Sequence, residues 1–198
     1  MLQTQALRRL NVGPIDLSLE AGECLSLMGA SGAGKSVLLR MIADLDPHAG
    51  DATLDGERCS AMPAPAWRRQ VTYVAAESGW WDPLVGPHFP AGTDFSTLLP
   101  AVAIAPEAAS WLVSRLSTGE RQRLALLRAL RPATRVLLLD EPTSGLDVDS
   151  VALVETLLRR ELNRGVAILM VTHDPAQAKR LAARHIELHA GLVSEIDL

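Results

Sequence analysis

Cysteine is scarce in this chain: Cys24 and Cys59 are the only two among 198 residues. Two thiols without metal-ligand spacing exclude a disulfide scaffold and a zinc ribbon, and both are read as reduced cysteines of a cytosolic protein. Lysine is scarcer than it looks, since Lys35 and Lys179 are the only lysines among 19 cationic side chains. The net charge of −4 lacks the basic excess that a nucleic-acid surface shows, so no nucleic-acid partner is expected. Nowhere does the chain approach the roughly 18 consecutive apolar residues that cross a bilayer. Its opening, MLQTQALRRL, also lacks the apolar run of a signal peptide. No aromatic residue precedes Trp67. Yet 48% of the residues are hydrophobic, so part of the apolar surface is expected to meet a partner.

What is present alternates. Short apolar runs at Cys24–Met28, Val71–Val74, Val136–Leu139 and Val166–Val171 read as strands buried on both faces. Between them amphipathic stretches begin at Lys35, Glu120, Val148 and Pro175; in the third, Val151, Val154, Leu158 and Leu162 fall on one helical face. This is the pattern of an α/β fold with a mostly parallel sheet. The stretch from Ala76 to Leu116 differs, with five prolines and weak periodicity. It reads as a compact insert carrying one short helix near Glu107–Arg115.

GASGAGKS, Gly29 to Ser36, fits the phosphate-loop pattern G-x-x-x-x-G-K-[ST] between an apolar strand and the helical VLLRMIADL. Such a loop wraps phosphates in backbone N–H groups at a helix N-terminus, so Gly29, Ala30, Ser31, Gly32, Ala33, Gly34 and Val37 are candidate nucleotide contacts. Lys35 is placed to reach the β- and γ-phosphates, and the Ser36 hydroxyl to bind Mg²⁺. The alternative is a glycine-rich turn with an incidental GKS, which the flanking strand and helix disfavour. RVLLLDEP, Arg135 to Pro142, delivers Asp140 and Glu141 to the carboxyl end of a buried strand, where ligands bind in open α/β sheets. Asp140 is the candidate Mg²⁺ carboxylate, and Glu141 the candidate base for an attacking water. Alone, such an acidic pair is more often a helix cap.

LSTGERQRLALLRAL (Leu116–Leu130) resembles the LSGGQ signature of ATP-binding cassette (ABC) ATPases. SGLD (Ser144–Asp147) is similar to that family's D-loop, and VTHD (Val171–Asp174) to its switch histidine. The resemblance covers most of the chain and implies a P-loop NTPase core with a small antiparallel β subdomain and a short helical insert. One domain, 1–198, then divides into a nucleotide-binding core (1–75 and 131–198) and a helical signature subdomain (76–130). It further implies an ATPase subunit of an ABC transporter, with ATP and Mg²⁺ as cofactors. Two cassettes close head to tail on ATP as a transient homodimer or heterodimer, driving a separately encoded transmembrane permease. Ser117 and the Gly119 backbone then face the γ-phosphate across the interface, His173 holds the attacking water, and Asp147 reaches across the dimer. Read alone, His173 is a surface histidine and Asp147 a helix cap. The implied location is cytoplasmic, peripheral on the inner face of the membrane. The competing readings are a slowly hydrolysing interaction module and a cassette serving a soluble assembly.

The chain also departs from that family. Where relatives carry a Mg²⁺-binding glutamine, this sequence has Ala76, followed by Glu77; either the Glu77 carboxylate replaces the glutamine or the ligand is absent and water fills the site. With no upstream aromatic to stack on adenine, an aliphatic residue near Leu7 or Leu10 is the candidate cover. Thr118 and Glu120 replace the usual glycine and glutamine of the signature. In SGWWDPLVGPHFP, Trp80, Trp81, Leu84, Val85 and Phe89 are expected to receive the membrane subunit. His48, His88, His185 and His189 match no motif.

Overall fold

The computed structural model describes residues 1–198. The chain runs through β1 (Leu2–Arg9), β2 (Val12–Leu19), β3 (Cys24–Met28), α1 (Lys35–Ile42), β4 (Ala49–Leu54), β5 (Glu57–Arg58), α2 (Ala64–Gln70) and β6 (Val71–Val74). A stretch of turns follows, holding only the four-residue α3 (Phe95–Leu98). The remainder is α4 (Thr118–Ala129), β7 (Val136–Asp140), α5 (Val148–Asn163), β8 (Ala167–Val171), α6 (Pro175–Leu181), β9 (Arg184–His189) and β10 (Leu192–Glu195).

Two sheets form. One is six-stranded in the order β10-β9-β3-β8-β7-β6, parallel throughout except for the antiparallel edge strand β10. The other is a four-stranded antiparallel sheet, β2-β1-β4-β5. The central parallel strands β7 and β8 are buried at every position because both their faces are covered. In β7, Val136 and Leu138 enter the core beneath the antiparallel sheet, α1 and α2, whereas Leu137 and Leu139 enter the core beneath α4 and α5. Side chains alternate across a strand, so consecutive residues must satisfy two different cores. Each fully buried Leu or Val contributes about 1.5–3 kcal/mol.

The expected strands and helices form where the apolar pattern put them, with small shifts. The α4 helix begins two residues earlier than Glu120, at Thr118, because Ser117 and Glu120 make a reciprocal cap. The Ser117 hydroxyl accepts the Glu120 N–H at 3.2 Å, and the Glu120 carboxylate accepts the Ser117 N–H at 2.8 Å. That bond holds the Glu120 carboxyl below its ordinary range. Both cysteines are buried, and burial pushes each thiol up to about 12. They are inert as nucleophiles at neutral pH.

The expected helix near Glu107–Arg115 does not form. Two 3₁₀ turns, Pro106–Ser110 and Val113–Arg115, flank an extended Trp111–Leu112. The reason is tertiary: Leu112 pairs with Leu84 in an isolated antiparallel bridge. The Val113 N–H donates to Pro83 O at 2.8 Å and the Val85 N–H to Trp111 O at 3.0 Å. Those bonds require extended backbone and cannot coexist with a helix. The insert has no core of its own; Val85, Leu99, Val102, Ile104 and Ala108 are buried in the cluster that also holds Leu137 and Met170.

Candidate active site

Three neighbouring strands, β3, β8 and β7, end at one edge of the sheet, and the segments following them form one cleft. It encloses about 270 Å³ and is lined by Ser31, Gly32, Gly34, Lys35, Ser36, Val37, Asp140, Glu141 and His173. Nine residues from three motifs, separated by over a hundred positions in the sequence, are thus brought together.

The loop after β3 is shaped for close approach. Gly34 has φ 103°, and a Cβ there would stand 2.3 Å from Val12 Cγ2; Gly29, at φ 138°, would meet Leu188 O at 2.5 Å. Only glycine combines such angles with such crowding. The α1 helix begins at Gly34 with no side-chain cap and no acidic residue in its first turn, whereas α4, α5 and α6 are capped by Ser117, Asp147 and Asp174. Its free N–H groups and positive dipole end therefore face the cleft, an arrangement suited to an anion. Lys35 is buried, and its ammonium donates to Gly29 O at 2.7 Å and Ala30 O at 2.9 Å. Ala33 closes the loop through an N–H to Ala30 O bond of 3.2 Å.

Opposite the loop, Asp140 is the last residue of β7 and is buried, with one carboxylate oxygen accepting the Tyr73 hydroxyl at 2.9 Å. Burial, and then the negative charge of Asp140, push the Tyr73 phenol well above its ordinary value, so it stays a donor. Glu141 turns the chain out of the strand in a left-handed conformation, φ 51°. For a residue with a side chain that costs about 1–2 kcal/mol, and it persists because the peptide is held on both sides. The Glu141 N–H donates to Val171 O at 3.1 Å, and its carbonyl accepts from Gln122 Nε2 at 2.8 Å. The result aims the carboxylate into the cleft, 3.1 Å from His173 Nε2. The loops carrying Glu141 and His173 are tied by a chain of side chains: Thr172 Oγ1 donates to Gln177 Oε1 at 2.9 Å, and Gln177 Nε2 donates to Thr143 Oγ1 at 2.8 Å.

Other expected site residues lie elsewhere. Ser117 and Gly119 sit at the start of α4, outside the cleft. Asp147 caps α5, its carboxylate accepting the Ser150 N–H at 2.9 Å and the Ser150 hydroxyl at 2.8 Å, which holds it below its ordinary range. Arg123 of α4 donates to that same Ser150 hydroxyl at 2.7 Å. Glu77 is not brought to Ser36 and Asp140. It is exposed and, with Ala76, lines a neighbouring cleft bordered by Trp80, Thr118, Arg121 and Gln122. Ala76 cannot serve as a metal ligand at all. Leu7 is fully buried, so only Leu10, 78% exposed on the β1–β2 turn, is free to cover a base.

The tryptophan loop differs from expectation in its residues. Val85 and Phe89 are buried in the core, because they hold the insert down; Trp81, Leu84 and the unanticipated Leu112 are the exposed members. His88, which matches no motif, is 2% exposed and organises the loop. Its Nε2 accepts the N–H groups of Trp81 and Asp82 at 3.0 and 3.2 Å, leaving Nδ1–H for Val85 O at 3.2 Å. Arg128 of α4 lies over both rings, 4.9 Å from Trp80 and 4.8 Å from Trp81, and donates to Gly79 O at 3.1 Å.

Comparison with known proteins agrees with this geometry. Residues 12–144 match the family model described as ABC transporter. The aliphatic sulfonates import ATP-binding protein SsuB 2 of Paracoccus denitrificans is 38% identical over 189 residues, 91% of this chain and 72% of that protein. SsuB 1 of Xanthomonas axonopodis pv. citri is 38% identical over 188 residues, 87% of this chain and 72% of its own. Among solved structures, the dimeric structure of a bacterial ABC transporter cassette aligns with a TM-score of 0.85 at 25% identity, covering 100% of this chain and 99% of its own. A dimeric post-hydrolysis cassette bound to ADP and Pi has the same fold, with a TM-score of 0.85 at 24% identity and the same coverage.

Proposed function

We propose a mechanism from one premise: the chain belongs to the ABC transporter family and is an ATP-binding, ATP-hydrolysing subunit of a transporter. The observation that carries the mechanism is the convergence of Lys35, Ser36, Asp140, Glu141 and His173 on one cleft at the uncapped start of α1.

ATP enters with its phosphates against the backbone N–H groups of Gly29 to Val37. The Lys35 ammonium, which already hydrogen-bonds two loop carbonyls, turns to the β- and γ-phosphates. Ser36 and Asp140 offer a hydroxyl and a carboxylate in the same cleft. No cluster of three metal-ligating side chains exists in the chain, and that donor set fits Mg²⁺, which favours one or two carboxylates plus phosphates and water over an all-protein cage. When bound, Mg²⁺ neutralises charge on the phosphate oxygens. Glu141 takes a proton from the water that attacks the γ-phosphorus, the bond to the β-bridging oxygen breaks, and ADP and phosphate leave. His173, in contact with Glu141, keeps that water in line.

Ser117, Gly119 and Asp147 lie outside this cleft, so a second copy completes it. Head-to-tail closure would bring the start of one α4 to the γ-phosphate held by the other subunit. Thr118 then stands beside the phosphate, where relatives have glycine.

No helix is long and apolar enough to cross a membrane. We assign the transport step to a separate permease, with the chain at its cytoplasmic side, because its relatives are named as the ATP-binding proteins of an import system. We place its docking point at Trp81, Leu84 and Leu112, which are 68%, 40% and 53% exposed. Relatives at this level of identity are import subunits, which favours import. Trp81→Ala with Leu84→Ser and Leu112→Ser is expected to move the chain from the membrane fraction to the supernatant of its own cells. The ATPase rate of the purified protein should stay within about two-fold, as expected of a surface change away from the cleft. Unchanged membrane association would remove the patch as the docking point.

A further inference from the structure

We propose that Tyr73 is a positioning residue for the Asp140 carboxylate: its hydroxyl occupies one oxygen and so fixes the other toward the cleft, setting how tightly Mg²⁺ is held with the nucleotide. This rests on the reading of Asp140 given above. It concerns an interaction between strands rather than any motif of the chain.

The register makes the contact. Tyr73 of β6 pairs with Leu138 of β7. Side chains alternate, so Tyr73, Leu138 and Asp140 share one face of the sheet. A phenol is long enough to reach up the neighbouring strand by two residues, and its hydroxyl meets Asp140 at 2.9 Å. It is the only donor the chain offers that carboxylate. The ring packs against the core between the two sheets, so the hydroxyl is held by the fold and not by the ligand. Asp140 also lines the cleft shared with Lys35 and Ser36, and the oxygen that Tyr73 leaves without a partner is the one available to a ligand there. A carboxylate at a buried strand end with no such partner could rotate both oxygens away from the productive direction. Outer-shell partners of this kind typically set metal affinity by about 10- to 100-fold. The competing reading is that Tyr73 only fills space, in which case phenylalanine serves equally well.

The test titrates Mg²⁺ into protein carrying a fluorescent ATP analogue, alongside the same analogue in EDTA. In Tyr73→Phe the half-saturating Mg²⁺ concentration should rise about ten-fold or more, with the Mg²⁺-free affinity for the analogue unchanged. Asp140→Asn should lose the Mg²⁺ response altogether. A wild-type Mg²⁺ midpoint in Tyr73→Phe overturns the positioning role while Asp140 stands. A wild-type midpoint in Asp140→Asn overturns the Asp140 reading and this proposal with it. Tyr73 is the only tyrosine in the chain, which provides a second measurement if Tyr73→Phe fails to fold. In protein made with 3-fluorotyrosine, the single ¹⁹F resonance should move when Mg²⁺ is added to the nucleotide complex. A resonance that stays fixed overturns the proposal.

Discussion

Glu141→Gln is expected to stop ATP turnover while leaving ATP binding intact. The two side chains have the same shape, and the left-handed backbone at this position is held by Val171 and Gln122 through main-chain atoms that the substitution does not touch. An amide can still accept a hydrogen bond from His173 and still fill the cleft. It cannot take the proton of an attacking water. Loss of a general base costs roughly 10²- to 10⁴-fold in rate, so steady-state phosphate release should fall by at least about 100-fold. A fluorescent nucleotide should bind both proteins within about three-fold, since Glu141 is not assigned a ground-state contact. With turnover blocked, the ATP-closed dimer should also accumulate, visible as a doubling of mass by light scattering on adding Mg·ATP. A variant that turns over at more than a tenth of the wild-type rate would place the base elsewhere.

Lys35→Ala should act one step earlier, on binding. Lys35 is buried, and its ammonium is held by the loop carbonyls of Gly29 and Ala30. Moved to the phosphates, it makes charge-assisted hydrogen bonds worth about 1.5–3 kcal/mol each. Losing even one of them weakens ATP binding by about 10- to 100-fold, and losing two by more. Thermal unfolding separates this from a folding defect. In wild type, nucleotide at 100 times its Kd stabilises by about 2.7 kcal/mol, whereas the variant should keep its nucleotide-free melting temperature and lose the ligand-induced rise. A variant still stabilised by ATP to the wild-type extent would deny Lys35 its phosphate contact.

The parts of the site that the sequence announces are those held by local backbone. Gly34, Lys35 and Ser36 are consecutive, and the strand before them is apolar for a reason that sequence carries, burial on both faces. Asp140 and Glu141 follow a strand of the same kind. What the sequence conceals is the support. Gln122 reaches Glu141 across 19 positions, Gln177 reaches Thr143 across 34, and Tyr73 reaches Asp140 across 67. None has a neighbour pattern that marks it, because each is chosen by where the fold puts it. The insert failed for the same reason in reverse. Glu107–Arg115 has local helical character, but the Leu84–Leu112 bridge outweighs it. The antiparallel sheet is hard to read directly as well, since β1 changes register against both neighbours, which breaks the alternation a strand would otherwise show. The α2 helix is short and has no capping side chain. It is pinned instead by Trp67, whose indole N–H donates to Ile42 O at 2.9 Å.

The α4 helix carries the signature residues at its start and makes three contacts along its 12 residues. At its start are Ser117 and Gly119, then Gln122 on the Glu141 carbonyl, then Arg123 on the Ser150 hydroxyl beside Asp147, and near its end Arg128 between the two tryptophans. A helix of that length is a rod of about 18 Å that does not bend easily. A tilt of about 5° applied at the tryptophan end would carry the opposite end sideways by roughly 1.5 Å, enough to break a hydrogen bond of ordinary length. On the proposed docking at Trp81, a push on its exposed ring would need no relay of charges to move Ser117 and Gly119, the residues proposed to meet the γ-phosphate. It would act as leverage, passing the Arg123 and Gln122 contacts before reaching the start of the helix.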